Sequence, residues 1–163
     1  MATRSISILR EVVPASGARL GALSQFGVNN RYSSRVIVFP DRVGAQIQSQ
    51  FTIPADYVAT PTVEIVMPTI GTGQSIRWRF EYNVIADNQS MDPGSADETL
   101  GVTRNESANP LRNRSVTVTP AVPANFNANE ICLWNLIRRS DQAADDSYSD
   151  VLVSDLVFRY SDV

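Results

Sequence analysis

The chain contains no histidine and no lysine, and its single cysteine is Cys132. Without an imidazole there is no side chain that ordinarily titrates near neutrality, and the commonest metal ligand is missing. Without lysine there is no Schiff-base nucleophile and no ammonium point charge to hold a phosphate. One cysteine forms no intrachain disulfide. Cys132 lies inside the apolar run Ile131-Cys132-Leu133-Trp134 and reads as a buried, inert thiol, since no histidine is there to activate it. Long apolar runs are also missing, stretches such as Val36-Ile37-Val38-Phe39 being only a few residues long, so no transmembrane helix fits. The opening Met-Ala-Thr-Arg-Ser has no apolar core behind its charge, and no secretory signal is expected. Together these absences exclude most catalytic strategies, so no enzymatic activity and no cofactor is expected. Binding or assembly is expected instead.

What is present fits one folded domain. With 163 residues, 43% hydrophobic and 19% charged, the chain is long enough to bury roughly 70% of its unfolded surface. All 14 basic residues are arginines, whose guanidinium forks suit interface carboxylates better than ammonium groups do. The charge is unevenly placed. Residues 1–42 carry six arginines against Glu11 and Asp41, and residues 43–163 carry eight against fifteen acids, which leaves +4 and −7 within a net −3. A positive leader on an acidic body predicts an arm that docks on a negative surface. Nucleic acid is not the expected partner, because the body repels phosphate and the leader has no dense basic cluster.

The leader, residues 1–34, reads as an extended arm. Ser5-Ile6-Ser7-Ile8-Leu9 has strand character, after which Pro14, Gly17, Gly21 and Gly27 interrupt any longer element. The arm is too apolar to float free, and fully extended it reaches about 110 Å. From residue 35 the pattern is β nearly throughout. Strands are predicted at 35–39, 43–51, 62–67, 76–84, 98–103, 112–119, 131–138 and 151–160, separated by turns rich in Pro, Asn and Asp. The clearest is 76–84, where Ile76, Trp78, Phe80, Tyr82 and Val84 alternate with Arg77, Arg79, Glu81 and Asn83. Single helical turns are expected at Ala55 to Val58 and near Ala124 to Asn127. Eight strands without internal repeats predict an all-β antiparallel sandwich, an eight-stranded jelly roll spanning residues 35–163.

The candidate chemical sites are weak. Asp141, Asp145, Asp146 and Asp150 flank one loop, and Asp87, Asp92 and Asp97 flank another, but neither has the ligand order of a calcium loop. No carboxylate pair, Glu64 and Glu81 included, is singled out by spacing for glycoside hydrolysis. Gly71-Thr72-Gly73 lacks the downstream Gly-Lys of a phosphate loop. Trp78, Phe80 and Tyr82 alternate with charge and read as core rather than as a sugar-stacking platform. Trp134 shares a side with Cys132, Leu136 and Arg138, and its outer end is expected at an interface.

Certain stretches carry a resemblance: Phe51-Thr52-Ile53-Pro54-Ala55-Asp56-Tyr57, Ile76 to Tyr82 with its tryptophan, Ser90-Met91-Asp92-Pro93, Arg138 to Tyr148, and Phe158-Arg159-Tyr160. Over about residues 43–160 the pattern resembles small β-sandwich structural proteins of tailed bacteriophages, among them the cement (decoration) proteins that clamp the outer capsid. The resemblance implies a homotrimer on the virion exterior, seated where capsomers meet and bound to the major capsid protein, with its N-terminal extension reaching over neighbours. In that reading Arg4, Arg10, Arg19 and Arg31 meet capsid carboxylates, and Ile6, Ile8, Leu9, Val12 and Val13 bury apolar area on the neighbouring subunit. Removing residues 1–34 is then expected to abolish shell binding and leave the sandwich folded. The alternative expectation is a receptor- or carbohydrate-binding module of a tail fibre or spike, marked by a groove of exposed aromatics.

Overall fold

A computed structural model describes residues 1–9, 13–16, 18–23, 34–41, 44–68, 74–105 and 113–162. Its strands, in chain order, are β1 (Thr3–Ser7), β2 (Val13–Ser16), β3 (Arg19–Leu23), β4 (Ser34–Phe39), β5 (Gln46–Thr52) and β6 (Ala59–Pro68). There follow β7 (Ser75–Ile85), β8 (Glu98–Asn105), β9 (Asn113–Val118), β10 (Ile131–Arg138), β11 (Val151–Val153) and β12 (Asp155–Ser161). Every pairing is antiparallel. One sheet runs β1-β12-β6-β9, a second β2-β5-β10-β7-β8, and a short third sheet β11-β4-β3. The fold is an all-β antiparallel sandwich of the jelly-roll kind.

Alternation of apolar and polar residues builds both faces of the interior. In β7, Ile76, Trp78, Phe80 and Tyr82 are buried, and the intervening Arg77, Arg79, Glu81 and Asn83 lie on the outer face. Val63, Ile65 and Met67 of β6 and Leu156, Phe158 and Tyr160 of β12 do the same from the opposing sheet. Between the sheets, Phe158 packs against Phe51, Tyr57, Phe126 and Tyr160, with ring centroids 4.9 to 6.3 Å apart. At the other end Phe39 meets Trp78 edge-on at 4.9 Å. Such contacts, one edge-on and the others tilted or stacked, add to the gain from burying apolar area.

Twelve strands stand among the described residues where eight were expected, three of them in the leader and one from a split near the C-terminal end. The predicted strand 151–160 is two strands, because Val151–Val153 pairs with β4 while Asp155–Ser161 pairs with β6. Ser154, between them, donates its backbone N–H and its hydroxyl to the Val66 carbonyl, at 2.9 and 3.2 Å. Of the two expected helical turns, the second is a short 3-10 turn at Pro123–Asn125, and the first is a turn closed by Tyr57 N–H on the Pro54 carbonyl.

The larger correction concerns the leader. Its boundary at residue 34 does not separate an arm from a sandwich, since β1 pairs with β12, β2 with β5 and β3 with β4. Ile8 is a core residue, 4% exposed, and Ile6 and Leu9 pack against the same core. The apolar surface of Ile8, and part of that of Ile6 and Leu9, is therefore covered within the chain. Deleting residues 1–34 removes three strands and a core side chain, so an intact sandwich is not the outcome the structure supports. Val13 and Arg19 stand in β2 and β3, and Arg10, Val12 and Arg31 lie outside the described residues.

Arg4 also has an internal partner. Its Nε donates to Asp162 Oδ2 at 2.7 Å, and the Ala2 backbone N–H donates to Oδ1 at 2.6 Å, which ties β1 to the end of β12. The Arg4 guanidinium first, and the Ala2 amide second, hold the Asp162 carboxyl below its ordinary 3.8. A carboxyl that is more acidic when folded stabilises fully above its unfolded value and loses that contribution as pH falls through the folded one. Backbone amides of Thr3–Ser7 are accordingly expected to lose exchange protection, relative to β6, between about pH 6 and about pH 2. Unchanged relative protection over that range would show that the pair does not anchor the strand.

Candidate functional site

The outer face of the five-stranded sheet carries a groove of about 560 Å³, centred on β5, β10 and β7. Strand register determines its floor. Gln48 of β5 stands opposite Asn135 of β10, which stands opposite Glu81 of β7, and Thr99 of β8 continues the row. A second row runs Gln50, Leu133, Asn83. Strands lie about 4.8 Å apart, so each row sets out side chains at intervals comparable with a sugar ring or a peptide residue. Because these are the outward positions of alternating strands, Gln48 and Gln50 of β5 become one side of the groove.

The turn-rich segment between β7 and β8 forms the wall, contributing Met91, Pro93 and Ala96. It is pinned by its own side chains. Asn83 donates to the Ser95 carbonyl at 2.6 Å, the Val84 N–H donates to Asp97 at 2.8 Å, and the Ala86 N–H donates to Gln89 at 3.0 Å. Gly94 turns the segment at φ +71°, a conformation that costs glycine little. Asp97 thus shapes a loop here and is not part of a metal cluster. Among the described residues no group of acidic or cysteine side chains could hold a metal ion.

On the floor, the Arg79 Nε lies 3.0 Å from Glu81 Oε1, while Asn135 donates to Glu81 Oε2 at 3.3 Å. This second contact orients the Asn135 amide, because its nitrogen faces the carboxylate and its oxygen turns away. The Asn135 Oδ1 is buried and has no hydrogen-bond partner among the described residues. A buried acceptor left unpaired costs free energy. The chemistry on offer is therefore amide donors and acceptors, one carboxylate, and small apolar patches from Leu133, Met91 and Pro93.

Other candidates take structural places. Trp78, Phe80 and Tyr82 are core, as expected. Trp134 is not at an interface: it is 3% exposed and stacks on Phe80 at 6.2 Å. Burial raises the Tyr82 and Cys132 pKa values, and the Tyr82 hydroxyl donates to Glu98 at 2.7 Å. Glu64 pairs with Arg159, and Asp141 with Arg139. Asp145 and Asp146 are engaged by Arg138 and by the Ser75 N–H. The sequence reading placed Arg138 on the Trp134 side of its strand but gave it no internal partner. It is fully buried and donates to both Asp145 oxygens and to the carbonyls of Phe39, Ser147 and Ser149. Its position at the inward register of β10 was visible, but an inward arginine needs partners that the sequence places elsewhere. Among the described residues the one aromatic residue in the exposed class is Tyr148, 68% exposed, which is not part of the groove.

No family model and no curated protein matches this chain. Solved structures do match its fold. A family 35 carbohydrate-binding module from Paenibacillus barcinonensis aligns over 97% of this chain and 99% of its own, with a TM-score of 0.56 at 8% identity. One of the same family from Clostridium thermocellum aligns over 97% and 98%, with a TM-score of 0.52 at 11% identity. The CBM22-1 xylan-binding domain of Paenibacillus barcinonensis Xyn10C aligns over 99% and 94%, with a TM-score of 0.52 at 8% identity. The chain therefore shares, end to end, the β-sandwich fold of carbohydrate-binding modules.

Proposed function

We propose that this chain is a non-catalytic carbohydrate-binding module that takes a glycan in the groove across β5, β10 and β7. The observation that carries this reading is the groove floor, where Gln48, Gln50, Glu81 and Asn135 present fixed donors and acceptors beside the apolar Leu133. Sugar hydroxyls are paired donors and acceptors, and planar amides and carboxylates match them two at a time. The full-length likeness to carbohydrate-binding modules supports the fold half of the argument. Among the described residues, the lining's two aromatic residues, Tyr82 and Trp134, are buried in the core, so recognition rests on hydrogen bonds, and affinity for a single short chain is weak. The test is affinity electrophoresis of the full chain through gels holding soluble polysaccharides, from neutral glucans to xylans. Retardation by at least one polysaccharide is expected. Asn135→Leu removes the central amide of the floor and its hydrogen bond to Glu81 and is expected to weaken that binding at least about tenfold. Thr117→Ala, exposed on the opposite sheet, is expected to change nothing. A chain that runs unretarded through every gel would overturn the reading.

A capsid-cement role, as a homotrimer bound to the major capsid protein on the virion exterior, is a second proposal. Its physical support was a free apolar arm, and the pairing of β1 with β12 and the burial of Ile8 take that support away.

A further inference from the structure

The two edges of the five-stranded sheet are built differently. At one edge β2 is four residues long, contains Pro14, and shifts register between Pro14 and Ser16. Short length, proline and an irregular register are the devices that stop an edge strand from pairing with another chain. At the other edge β8 has none of them. It is eight residues long, has no proline or lysine, and keeps an unbroken register with β7 from Glu98 to Asn105. Among the described residues no strand pairs with its far side.

The sequence of β8 is complementary to itself when read backwards. About Gly101 the segment Glu98-Thr99-Leu100-Gly101-Val102-Thr103-Arg104 is a palindrome in chemical character. Antiparallel pairing of two copies centred on Gly101 places Glu98 opposite Arg104, Thr99 opposite Thr103, and Leu100 opposite Val102. Each is a favourable cross-strand pair. The even-numbered side chains are half-buried at the sandwich edge, where Leu100 and Val102 only partly join the core. The Arg104 Nε is buried without a hydrogen-bond partner among the described residues. In the proposed register the Glu98 carboxylate of the second copy, held in its own chain by the Tyr82 hydroxyl and the Ala121 N–H, stands across from this guanidinium and complements it in charge.

We propose that β8 is the seam of a two-fold homodimer, joining two five-stranded sheets into one ten-stranded sheet. The contact is isologous and closes on itself. Its axis runs midway between the two Gly101 residues, perpendicular to the sheet, so both outer faces stay on the same side. The two grooves then lie side by side on one surface, with their β10 strands five strand spacings, about 24 Å, apart. On the glycan-binding reading, which this consequence alone requires, the dimer is bivalent and turns weak single-site binding into retention on polymeric ligand.

Sedimentation of the full chain at about 100 μM, where contacts of this kind are populated, is expected to give twice the 17.9 kDa chain mass. Arg104→Glu sets a carboxylate opposite Glu98 and is expected to return the monomer with an unchanged circular dichroism spectrum. Thr99→Cys/Thr103→Cys is expected to link two copies on mild oxidation, while neither single variant does, since only the proposed register sets 99 against 103. The native Cys132 is 1% exposed and takes no part. A monomer or trimer at that concentration, or single variants that link as readily as the double, would overturn the seam. Loss of the dimer in Arg104→Glu with binding to a short oligosaccharide intact would separate the seam from the groove. A dimer that binds no glycan would retain the seam and reject only the sugar.

Discussion

Replacing Arg138 with methionine is expected to destabilise the fold by about 3–5 kcal/mol, the range for breaking a buried ion pair from one side. Arg138 and Asp145 both have wholly buried side chains and meet at 2.9 Å. Methionine fills much of the same volume but leaves the Asp145 carboxylate in the interior without its cation. It also strips a donor from the Phe39, Ser147 and Ser149 carbonyls, so the segment that joins β10 to β11 loses its attachment to β4. The measurement is the urea midpoint at constant m-value. Adding Asp145→Asn to the methionine variant removes the stranded charge and is expected to recover part of the loss. Full recovery is not expected, because the three carbonyls still lack the guanidinium donor. A cost below about 1 kcal/mol for Arg138→Met would mean that water reaches the pair and solvates it.

The second large effect is expected at Phe158. It is fully buried on β12 and touches Phe51, Tyr57, Phe126 and Tyr160, so it joins aromatic rings from both sheets. Phe158→Ala is expected to cost about 3–5 kcal/mol, combining lost transfer energy with the cavity left among rings that cannot close over it. Phe158→Leu keeps most of the volume and is expected to cost clearly less. The comparison is informative because hydrophobicity is nearly shared while ring contacts are not. Equal costs for the two variants would assign the effect to burial alone. Because β12 also pairs with β1, the alanine variant is further expected to loosen the amides of Thr3–Ser7 before those of β7.

The leader shows where sequence reasoning went astray, and why. Its strand character at Ser5 to Leu9 was legible, as was its apolar content. What covers that apolar surface depends on β12, which lies some 150 residues away in the chain. Charge asymmetry and glycine content pointed to a detachable arm, because they report composition and carry no information about pairing. Arg138 taught the same lesson in reverse. A charged residue at an inward position looked like an interface signal, yet its partners Asp145, Ser147 and Ser149 curl back from the following loop.

By itself the sequence determined that this is an all-β sandwich, which residues of β7 face inward, and that Cys132 is buried. Those properties depend on period-two alternation and on turn residues, both local and both readable without knowing any partner. Tertiary structure decided the strand order, the places of β1 to β3, and the groove. The groove exists only because register sets Gln48, Asn135 and Glu81 in one row, though they come from three strands far apart in the chain. Pairing register is a property of two strands together, so no single stretch of residues encodes it.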